Sequence, residues 1–251
     1  MTASVSDTIA ALPPFPEIDF SEFGEVEVKP LSRIQKLTGA FLSRNWVAIP
    51  HVTHHDEVDV TEAEDRRRTL NQDEGIKVTP VVLLVKALAS ALAAFPQFNA
   101  SLSADGKTLI YKKFVHIGVA VDTPNGLLVP VLRNCDQKSL ATIAKELSAI
   151  AEKARTKGLA MQEMMGSSMS ISSLGHIGGT AFTPIVNSPD VAILGATAIQ
   201  LRPAPADDGS LIWRKMLPLS LSYDHRVING SDAARFVVAI GAALAEPERL
   251  A

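Results

Sequence analysis

Apolar positions along the chain switch between two periods, and prolines and glycines mark the switches. Ser32-Arg33-Ile34-Gln35 fits a capping box, and Ile34, Leu37 and Phe41 then fall on one helical face. Pro50 stops that helix. Val52, Val58 and Val60 keep the two-residue period of a strand. Thr61-Glu62-Ala63-Glu64 fits a second capping box. Val81 to Phe95 is almost continuously apolar, opened by Thr79-Pro80 and closed by Pro96, which predicts a buried helix with proline at its first position.

Strand-like runs follow at Thr108 to Tyr111, Val115 to Val121 and Leu127 to Leu132, with Pro124-Asn125-Gly126 turning between the last two. Leu140, Ile143, Ala144, Leu147, Ile150 and Ala151 have helical spacing, with Gly158 as C-cap. Met169 to Ser173, Val191 to Leu201 and Leu211 to Ser222 predict further strands, the last two joined at Asp208-Gly209. A final helix follows Gly230 and carries Ala233, Ala234, Phe236 and Val237. Met1 to Lys29 lacks periodicity and holds Pro13, Pro14 and Pro16. It reads as a linker remnant and an extended N-terminal arm, ahead of one domain over residues 30–251. The order of strands and helices is irregular, so the expected α/β fold is a mixed sheet with helices packed on it, not a doubly wound sheet.

Composition narrows the function classes. The 251 residues are 47% hydrophobic, enough for one large core. A net charge of -3 advertises no basic surface for nucleic acid or an anionic membrane. The most apolar run is interrupted by Lys86 and Ser90 and falls short of the ~20 residues of a membrane span. Met1 to Ala11 has neither the basic start nor the apolar run of a secretory signal. Cys135 is the one cysteine, so no internal disulfide forms and a cytoplasmic setting fits. With no Cys/His signature nearby, it reads as a packed thiol.

Several clusters invite chemistry. His51 and His55 have the i, i+4 spacing of zinc ligands on a helix, with His54 between them. The valines here alternate as in a strand, which puts those rings about 13 Å apart, too far to share one metal. Arg66-Arg67-Arg68 follows Glu62, Glu64 and Asp65, a solvated and internally paired helix face. Gly175-His176-Ile177-Gly178-Gly179 lacks the strand, G-x-G-x-x-G and helix context of a dinucleotide site, and no G-x-S-x-G elbow occurs. Ser170, Ser172 and Ser173 end a strand, where a hydroxyl can donate to an oxyanion or simply make a turn.

Tyr223-Asp224-His225-Arg226-Val227-Ile228-Asn229-Gly230 carries the strongest signal. A histidine at the end of a buried strand is held by backbone and kept partly dry, where a neutral imidazole works as a base near neutral pH. Asp224 points to the opposite face on an extended backbone. It suits local backbone or an arginine better than the His225 ring. Asn229 lies four residues on and could reach back across the turn.

This string resembles the His-x-x-x-Asp-Gly signature of the coenzyme A-dependent acyltransferases, which include the chloramphenicol acetyltransferases and the dihydrolipoyl acyltransferase cores of 2-oxo acid dehydrogenase complexes. Segments in the same order resemble the dihydrolipoyl cores over about Phe15 to Leu244. They include Pro30-Leu31-Ser32-Arg33-Ile34-Gln35-Lys36, Ile49-Pro50-His51-Val52-Thr53, Phe95-Pro96-Gln97-Phe98-Asn99-Ala100-Ser101 and the run from His116 to Leu127. Ile171-Ser172-Ser173-Leu174-Gly175 and Pro184-Ile185-Val186-Asn187 continue the series. The serine string and Phe-Pro-Gln-Phe-Asn are most similar to the acetyltransferase type of pyruvate dehydrogenase complexes.

The resemblance implies a chloramphenicol acetyltransferase-like two-layer sandwich. It implies a homotrimer whose sites lie between subunits, assembled into a larger hollow core by an apolar C-terminal tip, for which Leu250 is the candidate. It implies acetyl transfer between coenzyme A and dihydrolipoamide, with His225 as general base and Ser173, or Ser172 if the register is off by one, stabilising the oxyanion. Coenzyme A is then a substrate, the lipoyl group is carried on a separate domain, and no metal takes part. Decarboxylase and dihydrolipoamide dehydrogenase components would be reached through domains outside this stretch, which fits an excised catalytic core or a naturally short homologue. The common family aspartate is Asn229 here, which carries no charge to orient His225. Other acyl specificities (succinyl or branched-chain), a scaffold core with little activity and an antibiotic acetyltransferase are the alternatives.

Overall fold

A computed structural model describes residues 14–73, 77–124, 126–206 and 208–246. Asn125 of the expected turn, Leu250 of the tail and residues 1–13 lie outside them.

The main sheet has seven strands. It contains β1 (His51–Asp59), β4 (Ile117–Val119), β7 (Val131–Leu132), β8 (Met169–Ser173), β9 (Ala192–Ala196), β10 (Gln200–Pro205) and β11 (Leu211–Asp224). Its order is β1-β11-β9-β8-β4-β7, with β10 paired to the first half of β11. β4, β8 and β9 are parallel neighbours and the other pairs are antiparallel. Two hairpins stand apart, β2 (Ala100–Leu102) with β3 (Leu109–Tyr111) and β5 (Val121–Thr123) with β6 (Gly126–Leu128).

The five α-helices among the described residues are α1 (Arg33–Ala48), α2 (Thr61–Asp73), α3 (Pro80–Ala94), α4 (Leu140–Thr156) and α5 (Gly230–Ala245). α3 is apolar nearly all round because it is the middle of the core. Val85, Ala87 and Leu88 are fully buried. α5 packs beside it, and Phe236 stacks on Phe98 with ring centroids 3.9 Å apart. α5 also comes so close to β1 that a side chain at Gly241 would meet Val58 at 2.9 Å.

Strand alternation gives the main sheet two unlike faces. Ile171, Leu194, Leu219, Leu221 and Tyr223 turn toward the helices. Ser170, Ser172, Ser220 and Ser222 turn the other way, where Thr53 bonds Ser222 and His55 bonds Ser220.

The capping box at Ser32 and Gln35 is present. The expected box at Thr61 is not. Thr61 is already helical, and Asp59 accepts from both its N–H and its hydroxyl. The charged face of α2 is solvated only in part, because Glu64 is 5% exposed and holds Arg67 through both carboxylate oxygens.

Three runs expected to be single strands are broken. Val115 to Val121 and Leu127 to Leu132 leave the main sheet to form the β5–β6 hairpin, and they part at Ala120, which bonds Ile171 instead, and at Pro130. Val191 to Leu201 breaks at Thr197, opposite Pro218 of β11, which has no N–H for the ladder. Helix α4 ends as expected, with Gly158 at φ +73° just beyond it.

The segment from Pro14 to Arg33 is exposed throughout, including Phe15, Phe23 and Val28 at 98%, 79% and 88%. α1 buries only Asn45 and leaves Phe41 and Trp46 largely uncovered.

Candidate active site

His225 is the first residue beyond β11. Its backbone N–H donates to the Pro50 carbonyl at 3.1 Å, and the Val227 and Ile228 amides both donate to the Asp224 carbonyl at 3.0 Å. This tight turn is locked by Asp224 itself. Its carboxylate, 4% exposed, accepts from the Arg226 backbone N–H, from Nε at 2.9 Å and from Nη2 at 2.6 Å. The pair raises the Arg226 pKa further above its ordinary value. Asp224 is thereby committed to the arginine and backbone, as expected from strand alternation. The His225 ring is exposed and lies 5.8 Å from the Tyr223 ring, tilted against it. No side-chain hydrogen bond holds it among the described residues, so both ring nitrogens are open to incoming groups.

Asn229 makes its hydrogen bonds to the start of α5. It is the N-cap of α5, where Oδ1 accepts from the Asp232 N–H at 2.9 Å and from Ser231 at 2.7 Å, and Nδ2 donates to Asp232 at 2.7 Å. The expectation that it reaches back across the turn is corrected: the orphan amides of the helix start are nearer and compete for it.

Ser173 ends β8 and is half-buried. Its Oγ accepts weakly from the Gly175 N–H at 3.4 Å, which leaves the hydroxyl proton free to donate elsewhere. Ser172 points to the other face. Ser170 on that face bonds Asp190 at 3.3 Å, in a buried cluster where Asp190 also takes Ser167 and Lys112. Burial pushes the Asp190 carboxyl up against the pull of Lys112. The cluster holds the start of β8. Lys112 in a Lys-Lys pair and Asp190 after a proline gave no sequence signal of it.

The chain does not bring Ser173 and His225 together. Ser173 is level with Ala196, and Ala196 with Leu219. His225 lies six residues farther along β11, roughly 20 Å at the rise of a strand. The two are at opposite ends of one sheet.

His51 begins β1 opposite Asp224. Its Nδ1 is 2.8 Å from the Ile49 carbonyl and its Nε2 is 2.9 Å from the Val186 amide. His55 uses Nδ1 on Ser220. Cys135 is fully buried, and burial pushes its thiol up to about 11. An open cleft of about 420 Å³ lies beside α4, floored by Val131 and Ile150. Its lysines are paired, Lys138 with Glu146 and Lys153 with Glu163, and it includes neither Ser173 nor His225. No helix among the described residues is long and apolar enough to cross a membrane.

Residues 23–251 match the family described as 2-oxoacid dehydrogenases acyltransferase (catalytic domain). A Haemophilus influenzae dihydrolipoyllysine-residue acetyltransferase component of the pyruvate dehydrogenase complex is 50% identical over 242 residues, covering 94% of this chain and 42% of that protein. The chain also spans less than half the length of three further curated relatives at 51% identity. Two solved structures superpose with a TM-score of 0.91 at 50% identity, covering 95% of this chain and 99% of each of theirs. One is Azotobacter vinelandii dihydrolipoamide acetyltransferase, studied for the role of a serine, a histidine and an asparagine in its catalytic mechanism. Those three have the same spacing as Ser173, His225 and Asn229. The other is the cubic core of the pyruvate dehydrogenase multienzyme complex. A chloramphenicol acetyltransferase, 16% identical with a TM-score of 0.56 over 81% of this chain and 94% of that one, shares the fold.

Proposed function

We propose a function from one premise: the chain belongs to the 2-oxoacid dehydrogenases acyltransferase (catalytic domain) family. The function is acetyl transfer between coenzyme A and dihydrolipoamide, in the core of a pyruvate dehydrogenase-type complex. The observation that carries it is the serine, histidine and asparagine spacing shared with the Azotobacter enzyme.

His225 takes the proton of the attacking thiol. A thiol with a pKa near 8.5 needs only a modest base, and an open imidazole supplies one. The thiolate adds to the thioester carbonyl. The Ser173 hydroxyl donates to the oxyanion. As the carbonyl re-forms, the other sulfur leaves and receives the proton from His225. The step needs no further group. Asn229 serves by capping α5 just after the His225 turn.

Ser173 and His225 lie too far apart to act within one chain, so each site takes its histidine from one subunit and its serine from a neighbour. A trimer closes that arrangement, and the exposed arm from Pro14 to Leu31 lies over an adjacent subunit. Trimers then build a larger hollow core, a reading supported by the superposition on a cubic core of a pyruvate dehydrogenase multienzyme complex. Coenzyme A and a lipoyl group on a separate domain are the substrates. The complex's decarboxylase and dihydrolipoamide dehydrogenase are partners through domains outside this stretch, in a cytoplasmic setting. The test is acyl transfer from acetyl-, succinyl- and isobutyryl-coenzyme A to free dihydrolipoamide. Preference for acetyl is expected. Preference for another acyl group overturns the specificity, and no transfer at all indicates a scaffold core.

A further inference from the structure

We propose that His51 is a positioning residue for His225, an inference that rests on the acyl-transfer reading of His225 as the base. The His51 ring is bonded at both nitrogens. The Ile49 carbonyl can only accept, so Nδ1 carries the proton and donates to it at 2.8 Å. The Val186 amide can only donate, so Nε2 is the acceptor at 2.9 Å. One neutral tautomer satisfies both bonds, and no other does. The ring is also stacked on Trp46, with centroids 5.6 Å apart.

Three consequences meet at the base. First, Ile49, Pro50 and His51 form the junction between α1 and β1, and the ring pins that junction to Ile49 on one side and Val186 on the other. Second, Pro50, held between them, gives its carbonyl to the His225 amide. Third, His51 is the register partner of Asp224, whose carboxylate locks the His225 turn. Val186 is an unyielding anchor. It is fully buried against Ile49 and Ile193, and its own carbonyl takes the Asn45 amide at 3.1 Å. The clamp therefore fixes the carbonyl that holds His225, at the mouth of the strand where the ring must meet a thiol of fixed position.

The test uses three variants of the whole chain. His51→Gln keeps one donor and one acceptor on a planar group. His51→Asn keeps the donor toward Ile49 but is too short for Val186. His51→Phe keeps the ring stack and loses both bonds. Folding is checked by thermal unfolding and light scattering, and His51→Asn is read in place of His51→Phe if the latter does not fold. The expected result for His51→Phe is a kcat lower by about tenfold to a hundredfold with KM for coenzyme A within about twofold, the pattern of a misplaced group. Amide exchange at His225 and Val186 should quicken by about tenfold. His51→Gln should restore both readings, which a loss of stability alone would not do. Unchanged kcat in His51→Phe, or equal damage in His51→Gln, overturns the proposal. If the parent chain transfers no acyl group, the functional reading fails, and exchange at the His225 amide alone decides whether His51 holds that residue.

Discussion

Ser173 and His225 stand at opposite ends of the same sheet, one at the C-terminal end of β8 and the other just past β11, roughly 20 Å apart along the strands. A rigid sheet cannot fold that distance away. Subunit mixing tests the consequence directly. His225→Ala and Ser173→Ala chains, each at most about 1% active alone, should regain about one quarter of the parent activity when co-assembled at equal amounts, because one site in four pairs an intact histidine with an intact serine. Absence of any recovery in verified mixed trimers would refute a site shared between subunits.

Singly, His225→Ala should lower kcat by about 10²–10⁴ through loss of the base, with the fold intact because the ring is exposed and makes no hydrogen bond among the described residues. Ser173→Ala should lower kcat by about 10²–10³ with a small change in KM. Ser172 points to the other face of β8, so Ser172→Ala should stay near the parent. Steady-state kinetics separates the two serines.

Asn229→Ala removes a helix cap and should cost about 1 kcal/mol in chemical denaturation. Asn229→Asp keeps the Oδ1 acceptor for the Asp232 amide. It brings a second carboxylate against Asp232, however, so a smaller loss of stability is expected, with substantial activity retained. An alanine variant as stable as the parent would show that the cap holds nothing.

Cys135 should resist modification in the folded chain at pH 8, since a thiol pushed up to about 11 is only about 0.1% thiolate there and has no solvent contact. Its folded pKa lies above the ordinary value of 9.0. The native chain therefore binds the extra proton between these values, and this group's share of stability falls as pH rises from about 9 to about 11. Rapid labelling by a thiol reagent under native conditions would contradict the burial.

Truncation of the arm before Ser32 should weaken subunit association and leave the monomer core folded, because its described part, Pro14 to Leu31, is exposed throughout. Light scattering of the shortened chain measures it. An unaltered assembly would mean that the exposed Phe15 and Phe23 rest on no neighbour.

How much was legible in the sequence depended on whether neighbours in the chain decide the outcome. α3 was read well because its apolar run and flanking prolines are local signals. The Ser32 cap and Gly158 were read for the same reason. The break at Thr197 was not, because its cause, Pro218, lies on another strand. The box at Thr61 failed because Asp59 offered its oxygen from two residues earlier. At the site, resemblance singled out His225 and Ser173, while strand alternation led to the Asp224–Arg226 pairing that the structure has. Asn229 was misdirected because the start of α5 takes its side chain. The bond from the His225 amide to Pro50 depends on a long-range meeting of β1 with β11, which no local pattern announces.

The sheet joins its first strand to its last. Among the described strands β1 pairs with β11 alone, and α5, which follows β11, completes the core around α3. During synthesis at ~5–20 residues per second, β1 waits roughly 10–30 s without a partner. Over that interval the side of α3 that meets α5 stays uncovered. Such distant pairing makes for slow folding. Pairing of β1 and completion of the core around α3 therefore both wait for the segment from Leu211 to Ala245.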